Sequence, residues 1–265
     1  MLWCQQKIRG FIDRMPPRPR KKTSPPDKNL TEERVIAVAL QLIDKNGLSA
    51  FSFRDVARAL NVYPTAIYWY VKSKDELLGN VVGYATRDVA PPANSTDWSA
   101  WLRELCHRYR RVVQQHPNIA PLIGSQLRSN GGIRTELIDR LLSVLVAAGF
   151  TDGHLVDAYN VVIGALVGFI SQELAEMPEE KSSKWAEMHR KRISTMDVME
   201  SPTLARYLPQ LANKAFILRW SNGSKVPLDS SFELFVDVII LGLEQKLKSL
   251  QPSASSAKRP SSRAP

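Results

Sequence analysis

An all-α architecture is expected for this chain, with a helix-turn-helix near the N-terminus and a larger helical region after it. Three features carry the expectation. Apolar side chains recur at helical spacing from Val35 to Leu243, and no stretch reads as a strand. Thr31, Ser52, Ser73 and Asp97 stand just ahead of such runs, where a side-chain oxygen can satisfy the amides left open at a helix start. Between Ser52 and Leu78, two short helical segments and the start of a third follow so closely that a tight turn must join the first pair.

Residues 1–29 hold Met15-Pro-Pro-Arg-Pro-Arg-Lys-Lys and Pro25-Pro26, too much proline and charge to build a core, so a disordered basic arm is expected. Arg18, Arg20, Lys21 and Lys22 would let such an arm touch phosphates or a minor groove. Thr31 caps the first long helix, with Glu32 and Glu33 at its positive end and Gly47 as its stop. Its apolar stripe is Val35, Ile36, Ala39, Leu42 and Ile43.

Ser52 and Asp55 have the spacing of a capping box, and Val56, Ala57 and Leu60 give the second helix one apolar side. Asn61-Val62-Tyr63 is the turn, because Asn tolerates left-handed backbone angles. Pro64 fits the first position of a short third helix running to about Val71. Ile67 is its inward anchor, leaving Thr65, Ala66, Tyr68 and Trp69 on the outer arc. Ser73 and Glu76 form a second box, opening a helix expected to reach Val89 before Pro91 and Pro92.

Asp97 opens a helix carrying Trp101, Leu105, Tyr109 and Val112, broken at His116-Pro117. A shorter helix to about Leu127 and a loop at Gly131-Gly132 follow. Leu137 to Val146 mark another helix, closed by Gly149. The helix from Asp152 to Ala175 is apolar almost all round in its second half, which predicts burial on more than one side. After a charged stretch at 178–195 and a short helix at 202–213, a last helix spans Leu228 to Leu250. The tail from Gln251 is rich in Ser, Pro and Ala and is expected to be disordered. The implied domains are therefore 1–29 as arm, 30–90 as helix-turn-helix, 95–250 as helical body and 251–265 as tail.

Composition narrows the functional classes. The net charge of +10 resides mostly at the two ends, +6 in residues 1–29 and +3 in residues 251–265. Residues 30–80 are neutral, so arrangement rather than total charge must mark any nucleic-acid surface. No apolar run reaches the ~18 residues of a membrane span, and the N-terminus lacks the apolar core of a signal peptide. Cys4 and Cys106 do not make a disulfide framework, so a cytoplasmic setting is the simplest one. His107, His116, His154 and His189 form no metal-ligand spacing, and the carboxylates show no suggestive pairing. Without a phosphate loop or nucleophile elbow either, the sequence calls for no catalytic residue, metal or cofactor.

The run NVYPTAIYWYVKSKDELL, with Phe53-Arg54-Asp55-Val56-Ala57 ahead of it, resembles the DNA-binding domain of the TetR family of bacterial regulators, in the style of its tetracycline-repressor branch. Two positions depart from the family. Asn61 replaces the usual Gly, and Tyr63 replaces a common capping Ser. The resemblance implies a dimeric regulator, most simply a repressor, on a palindromic double-stranded DNA operator. It places Arg54 at the start of the support helix, reaching a base or phosphate. Pro64, Thr65, Ala66 and Tyr68 would face the groove, while Tyr63, Trp69, Tyr70, Lys72 and Lys74 would hold the backbone. Trp69 and Tyr70 have an alternative place, packed against the first helix. The resemblance also implies an effector pocket among the middle helices, with Trp101, Leu105, Tyr109, His116, Leu141, Leu145, Tyr159 and Ile163 as candidate lining. A small apolar or aromatic effector would suit those walls. The helices at 152–175 and 228–250 would pair with their mates, with Gly164 and Gly168 permitting close approach. Two alternatives stay open: a DNA-binding regulator with no small ligand, controlled by a protein partner, and an all-α binding protein or enzyme.

Overall fold

The computed structural model describes residues 30–92, 97–129, 135–176, 182–197 and 200–250. The basic arm with Arg18, Arg20, Lys21 and Lys22, the Gly131-Gly132 loop, Cys4 and the tail from Gln251 lie outside the described residues. Every long element among those described is helical.

Helix α1, Glu32–Asn46, starts where the Thr31 hydroxyl accepts the amide of Arg34 at 3.2 Å, and stops at Gly47, whose φ of 80° carries the chain out of the helix. Leu40, rather than the half-buried Leu42, joins Val35, Ile36, Ala39 and Ile43 in its buried face. Helix α2, Phe53–Ala59, is capped by Ser52, but Asp55 reaches the Ser52 hydroxyl instead of its amide.

Helix α3 is shorter than its sequence suggests, Pro64–Ile67, and then winds through bonds from Tyr70 and Val71 to the carbonyl of Ile67. No side chain caps α3, and the amides of Trp69 and Tyr70 close shorter loops, on Ala66 and Ile67, than an α-helix would. Helix α4, Lys74–Ala85, also ends early. The Thr86 hydroxyl bonds back to the carbonyl of Val82 at 2.8 Å, and Val89 is buried beyond the helix rather than in it.

The larger region holds α5 Trp98–Gln115, α6 Ala120–Ser129, α7 Thr135–Ala148, α8 Asp152–Glu173, α9 Ser182–Ser194, α10 Pro202–Leu211 and α11 Asp229–Leu250. A 3-10 turn, Pro117–Ile119, joins α5 to α6. Asp97 caps α5, its carboxylate accepting the amides of Ser99 and Ala100. These bonds, with the Ser99 hydroxyl bond first among them, hold that carboxyl below the usual Asp range.

The core is a relay of helix contacts. Helix α4 packs on α1 and α6, α6 on α8, α7 on α8 and α5, and α11 on α5 and α8. Trp101, Leu105, Phe150, Leu166 and Phe232 are among its fully buried side chains, each worth ~1.5–3 kcal/mol of burial.

Helix α8 corrects one expectation. It is not buried all round: Val162, Leu166 and Ile170 face the core, while Val161, Gly164 and Gly168 stay exposed. It is long and apolar enough in composition to cross a membrane, although Asp157, Asn160 and Ser171 keep any uninterrupted apolar run short. The reason is that apolar residues serve both the core and the open face.

Candidate nucleic-acid interface and effector region

The reading surface is built by the joint between α2 and α3. Val56 and Ala57 anchor α2 inside, and Leu60 closes it. Asn61 takes the left-handed conformation the sequence implied, with φ of 55°, and the amide of Val62 returns to the carbonyl of Ala57 at 2.9 Å. Tyr63 contributes no side-chain cap. Ile67 and Val71 are fully buried and pin the short helix inward.

Most other side chains on α3 and beside it point away from the core. Pro64 and Thr65 are exposed and Ala66 is half-buried. Tyr63 is 72% exposed, Tyr68 52% and Trp69 81%. Trp69 is therefore not packed against α1, whereas Tyr70 is half-buried. The ring of Tyr68 stacks on Phe53 at 5.0 Å and 13°, which holds it near the N-terminal turn of α2, where Arg54 is exposed.

Charge around this surface is sorted by local bonds. Arg58 pairs with Asp55 at 2.6 Å, and the Ser52 hydroxyl first, then Arg58, lower the Asp55 pKa. Lys72 is exposed, and its amide donates to Glu76 at 2.7 Å, so the second box closes one residue earlier than expected. Lys74 is exposed too, but its ammonium already donates to the carbonyl of Phe51 at 3.3 Å and lies 5.7 Å from that ring. It has two further N–H donors for a phosphate.

Seven of the eight candidate lining residues share three mutually contacting helices: Trp101, Leu105 and Tyr109 on α5, Leu141 and Leu145 on α7, and Tyr159 and Ile163 on α8. Trp101, Leu105, Leu141 and Leu145 are fully buried, and the Trp101 indole donates to the carbonyls of Pro91 and Pro92 at 3.3 and 3.2 Å. Tyr109, Tyr159 and Ile163 are half-buried, and burial raises the pKa of both tyrosines. His116 is not with them. Its Nδ1 lies 2.8 Å from the Asp44 carboxylate, and Asn118 donates to the carbonyls of Ile43 and Asp44 at 2.8 and 3.1 Å. The end of α5 thus lands on the carboxyl end of α1, a contact across more than seventy residues of sequence.

Several carboxylates of the body pair with basic side chains, an arrangement absent from the sequence reading. Arg110 and Glu173 form a buried ion pair, and Arg103, His107 and Arg110 of α5 face Asp237, Glu233 and Asp229 of α11. A signal existed: these acids recur every four residues along α11, the spacing of one helix face.

A cleft of about 430 Å³ opens between α8 and α11, lined by Phe150, Ala158, Val161, Val238, Ile239 and Leu243 among others. Around it, Val156, Val161, Leu234, Val238 and Leu241 are each at least half exposed. A Cβ added at Gly164, Gly168 or Gly242 would meet open space.

Residues 35–81 match the family described as bacterial regulatory proteins, tetR family, and residues 90–247 match the tetracyclin repressor-like C-terminal domain. The chain is 28% identical over 147 residues to an HTH-type transcriptional regulator of Saccharopolyspora erythraea, covering 54% of this chain and 61% of that protein. It is 27% identical over 170 residues to the HTH-type transcriptional repressor DrrR1 of Streptomyces coeruleorubidus, covering 61% of this chain and 60% of that one. Each match thus spans less than two thirds of the relative. Among solved structures, BioQ with its natural double-stranded DNA operator superposes with a TM-score of 0.51 at 29% identity, covering 55% of this chain and 87% of BioQ. Streptomyces coelicolor ActR in complex with actinorhodin shares the fold, with a TM-score of 0.61 at 21% identity over 82% of this chain and 96% of ActR.

Proposed function

The chain belongs to the TetR family of bacterial DNA-binding regulators, which are not enzymes, and from that premise we propose that it is a dimeric repressor released from its operator by a small ligand. The observation that carries this reading is the outward set on α3: Thr65, Tyr68 and Trp69 face solvent while Ile67 and Val71 alone anchor the helix. The exposed Tyr63, Tyr68 and Trp69 flanking this four-residue helix lie outside the chain's own core. They suit a groove, with small groups on thymine methyls and hydroxyls on base edges or phosphates.

So short a helix reads few base pairs, and a two-fold dimer doubles the site. The open apolar faces of α8 and α11 support a four-helix bundle between two copies, with Gly164 and Gly168 letting backbones approach. Both DrrR1, a repressor by name, and the BioQ–operator complex support the DNA side of the reading. ActR, which shares the fold, binds actinorhodin; in this chain the ligand proposed is a small apolar or aromatic molecule among α5, α7 and α8. Such a ligand shifts the protein only through unequal affinity for two head spacings. The route from body to head runs through α6 against α4, and through His116 and Asn118 against α1. DNA being the target, the cytoplasm is the place of action.

One observation favours a second reading, a regulator without a small ligand: Trp101, Leu105, Leu141 and Leu145, half of the candidate lining, are fully buried and serve the core. Selection of bound sites from random duplex DNA tests the DNA reading, with a near-palindromic site as the expected result. A thermal-shift screen with aromatic compounds tests the effector. A stabilising compound that leaves operator affinity unchanged would refute release by ligand.

A further inference from the structure

Helix α5 is fastened to the reading head at both ends. Near its start, the Trp101 indole holds the Pro91 and Pro92 carbonyls that follow α4. Just past its end, His116 and Asn118 hold α1. Between these points α5 meets α11 through three polar rungs in antiparallel order. Arg103 Nη2 lies 2.6 Å from Asp237 Oδ1, His107 Nε2 3.4 Å from Glu233 Oε2, and Arg110 Nη2 2.8 Å from Asp229 Oδ1.

The third rung is unlike the others. Arg110 is 7% exposed and Glu173, the last residue of α8, is fully buried. The Arg110 guanidinium grips that carboxylate with both arms, Nε to Oε2 at 2.8 Å and Nη2 to Oε1 at 2.6 Å, and lies 4.5 Å over the Phe232 ring of α11. Oε1 of Glu173 also accepts the amide of Leu228, just ahead of α11, at 2.9 Å. The Glu173 carbonyl accepts the amide of Gly223 at 2.7 Å, where an added Cβ would come within 2.5 Å of Glu173 Cγ. Buried Arg219 bonds the carbonyls of Ser221 and Val226 at 3.0 and 2.7 Å, which fixes the segment leading into α11.

A buried ion pair adds little net stability, because desolvation offsets the attraction, but it penalises any arrangement that separates it. Sliding α11 one turn along α5 would take the Leu228 amide off Glu173 and the Phe232 ring off Arg110, and would leave only two of the three rungs able to re-form. Exposed rungs are individually weak, and Asp229 is itself 73% exposed, so the contacts of the Leu228 amide and the Phe232 ring with the buried Arg110–Glu173 pair weigh most in the register and the rungs add to them. The best-attested use of such groups is to specify one register among several that apolar packing alone would tolerate.

We propose that this ladder is a register key: it holds the interface helix α11 at one position on α5 and thereby fixes the distance between the two reading helices of a dimer. Arg110, Glu173 and Asp229 are then positioning residues for half-site spacing, although none touches DNA. The inference rests on the reading of the chain as a dimeric DNA-binding regulator.

The test uses the full chain and an operator selected with the wild-type protein, together with versions whose half-sites are moved apart or together by one or two base pairs. The wild type discriminates among these by about tenfold or more, since half-site separation mirrors protein geometry. R110M/E173Q removes both charges of the pair and keeps an acceptor for the Leu228 amide, while Arg219 keeps its bonds to the carbonyls of Ser221 and Val226. It is expected to stay folded and dimeric by circular dichroism and sedimentation, to exchange the amides of residues 219–237 faster, and to narrow the discrimination to about threefold or less. The exposed variant E233Q/D237N, which risks nothing in the core, shows a smaller narrowing. Unchanged spacing preference in R110M/E173Q overturns the proposal, and if that variant fails to fold, unchanged preference in E233Q/D237N does so. A wild-type chain that selects no duplex removes the premise, and the inference with it, which separates that failure from the other two.

Discussion

In the proposed DNA contact, single side chains are the units to test. Arg54 is exposed at the first turn of α2, and Tyr68 leans on Phe53 beside it, so one stacked ring supports the other half of the reading joint. Replacing either by Ala should weaken operator binding by ~1–3 kcal/mol, about tenfold to a hundredfold in a gel-shift titration. Tyr68→Phe keeps the stack and removes only the hydroxyl, so it should retain more affinity than Tyr68→Ala. Tight binding by both alanine variants would remove these residues from the interface. In the body, burial pushes the Cys106 thiol up to about 12, opposed only weakly by Arg103. Thiolate being the reactive form, Cys106 in the native protein should resist a thiol-specific reagent at neutral pH and react once urea unfolds the chain. Prompt reaction of the folded protein at Cys106, located by peptide mass, would contradict its burial. Much of this scale was legible in the sequence, because caps, turns and outward residues depend on neighbours a few positions away. Asn61 and Tyr63 show it: the left-handed turn and the missing cap both follow from the residue types at those positions. His116 shows the limit, since its partner Asp44 is distant in sequence and only the packing of α5 against α1 brings them together.

At the scale of elements, helix ends carry the local stability. Helix α3 has no side-chain cap at Tyr63, whose φ of −70° and ψ of 143° already suit a capping residue. Tyr63→Ser should therefore add ~0.5–1 kcal/mol of stability through a new bond to an open amide, while removing an exposed ring from the DNA side. Opposite signs in a thermal melt and a DNA titration would separate the two roles of the position; a loss in both would show that the ring supports the fold. The cap of α5 gives a pH dependence. Because bonds from the Ser99 hydroxyl and the Ala100 amide lower the Asp97 pKa, its contribution is present above the ordinary carboxylate pKa and is lost as pH falls through the depressed value. Asn caps helices but does not titrate, so the urea midpoint of the wild type should exceed that of Asp97→Asn near neutrality, with the gap closing as pH falls into the acid range. A gap constant with pH would exclude the carboxylate as its cause. Helix starts were readable in the sequence for the same chemical reason. The early ends of α3 and α4 were not, since bonds such as that from Thr86 to the Val82 carbonyl compete with the helix only once the chain has turned.

At the scale of the whole molecule, the question is what covers the apolar side of α8 and α11. Sequence periodicity could not separate the two faces of α8, because apolar residues occupy nearly every position of its second half. Packing separates them. Val162, Leu166 and Ile170 are spent on the core, and Val161, Gly164 and Gly168 stay open beside Leu234, Val238 and Leu241 of α11. A face of this kind, continuous over two long helices and rimmed by Asp157 and Lys246, is what a second copy would bury. Charge placed in its middle should break the pairing without touching the core, since Val238 and Leu241 are 59% and 61% exposed. The double variant Val238→Glu/Leu241→Glu should therefore sediment as a monomer at micromolar concentration, with its circular dichroism and melting otherwise intact. Operator binding should fall much further than in Arg54→Ala, because a lone head loses a whole half-site rather than one contact. A half-site duplex distinguishes the causes: the variant should bind it as the wild-type head does, if weakly, so that the loss on the full operator reports separation of the subunits and not damage to α3. Should the variant remain dimeric and bind the operator unchanged, α8 and α11 serve only the monomer, and the spacing of two heads must be set elsewhere.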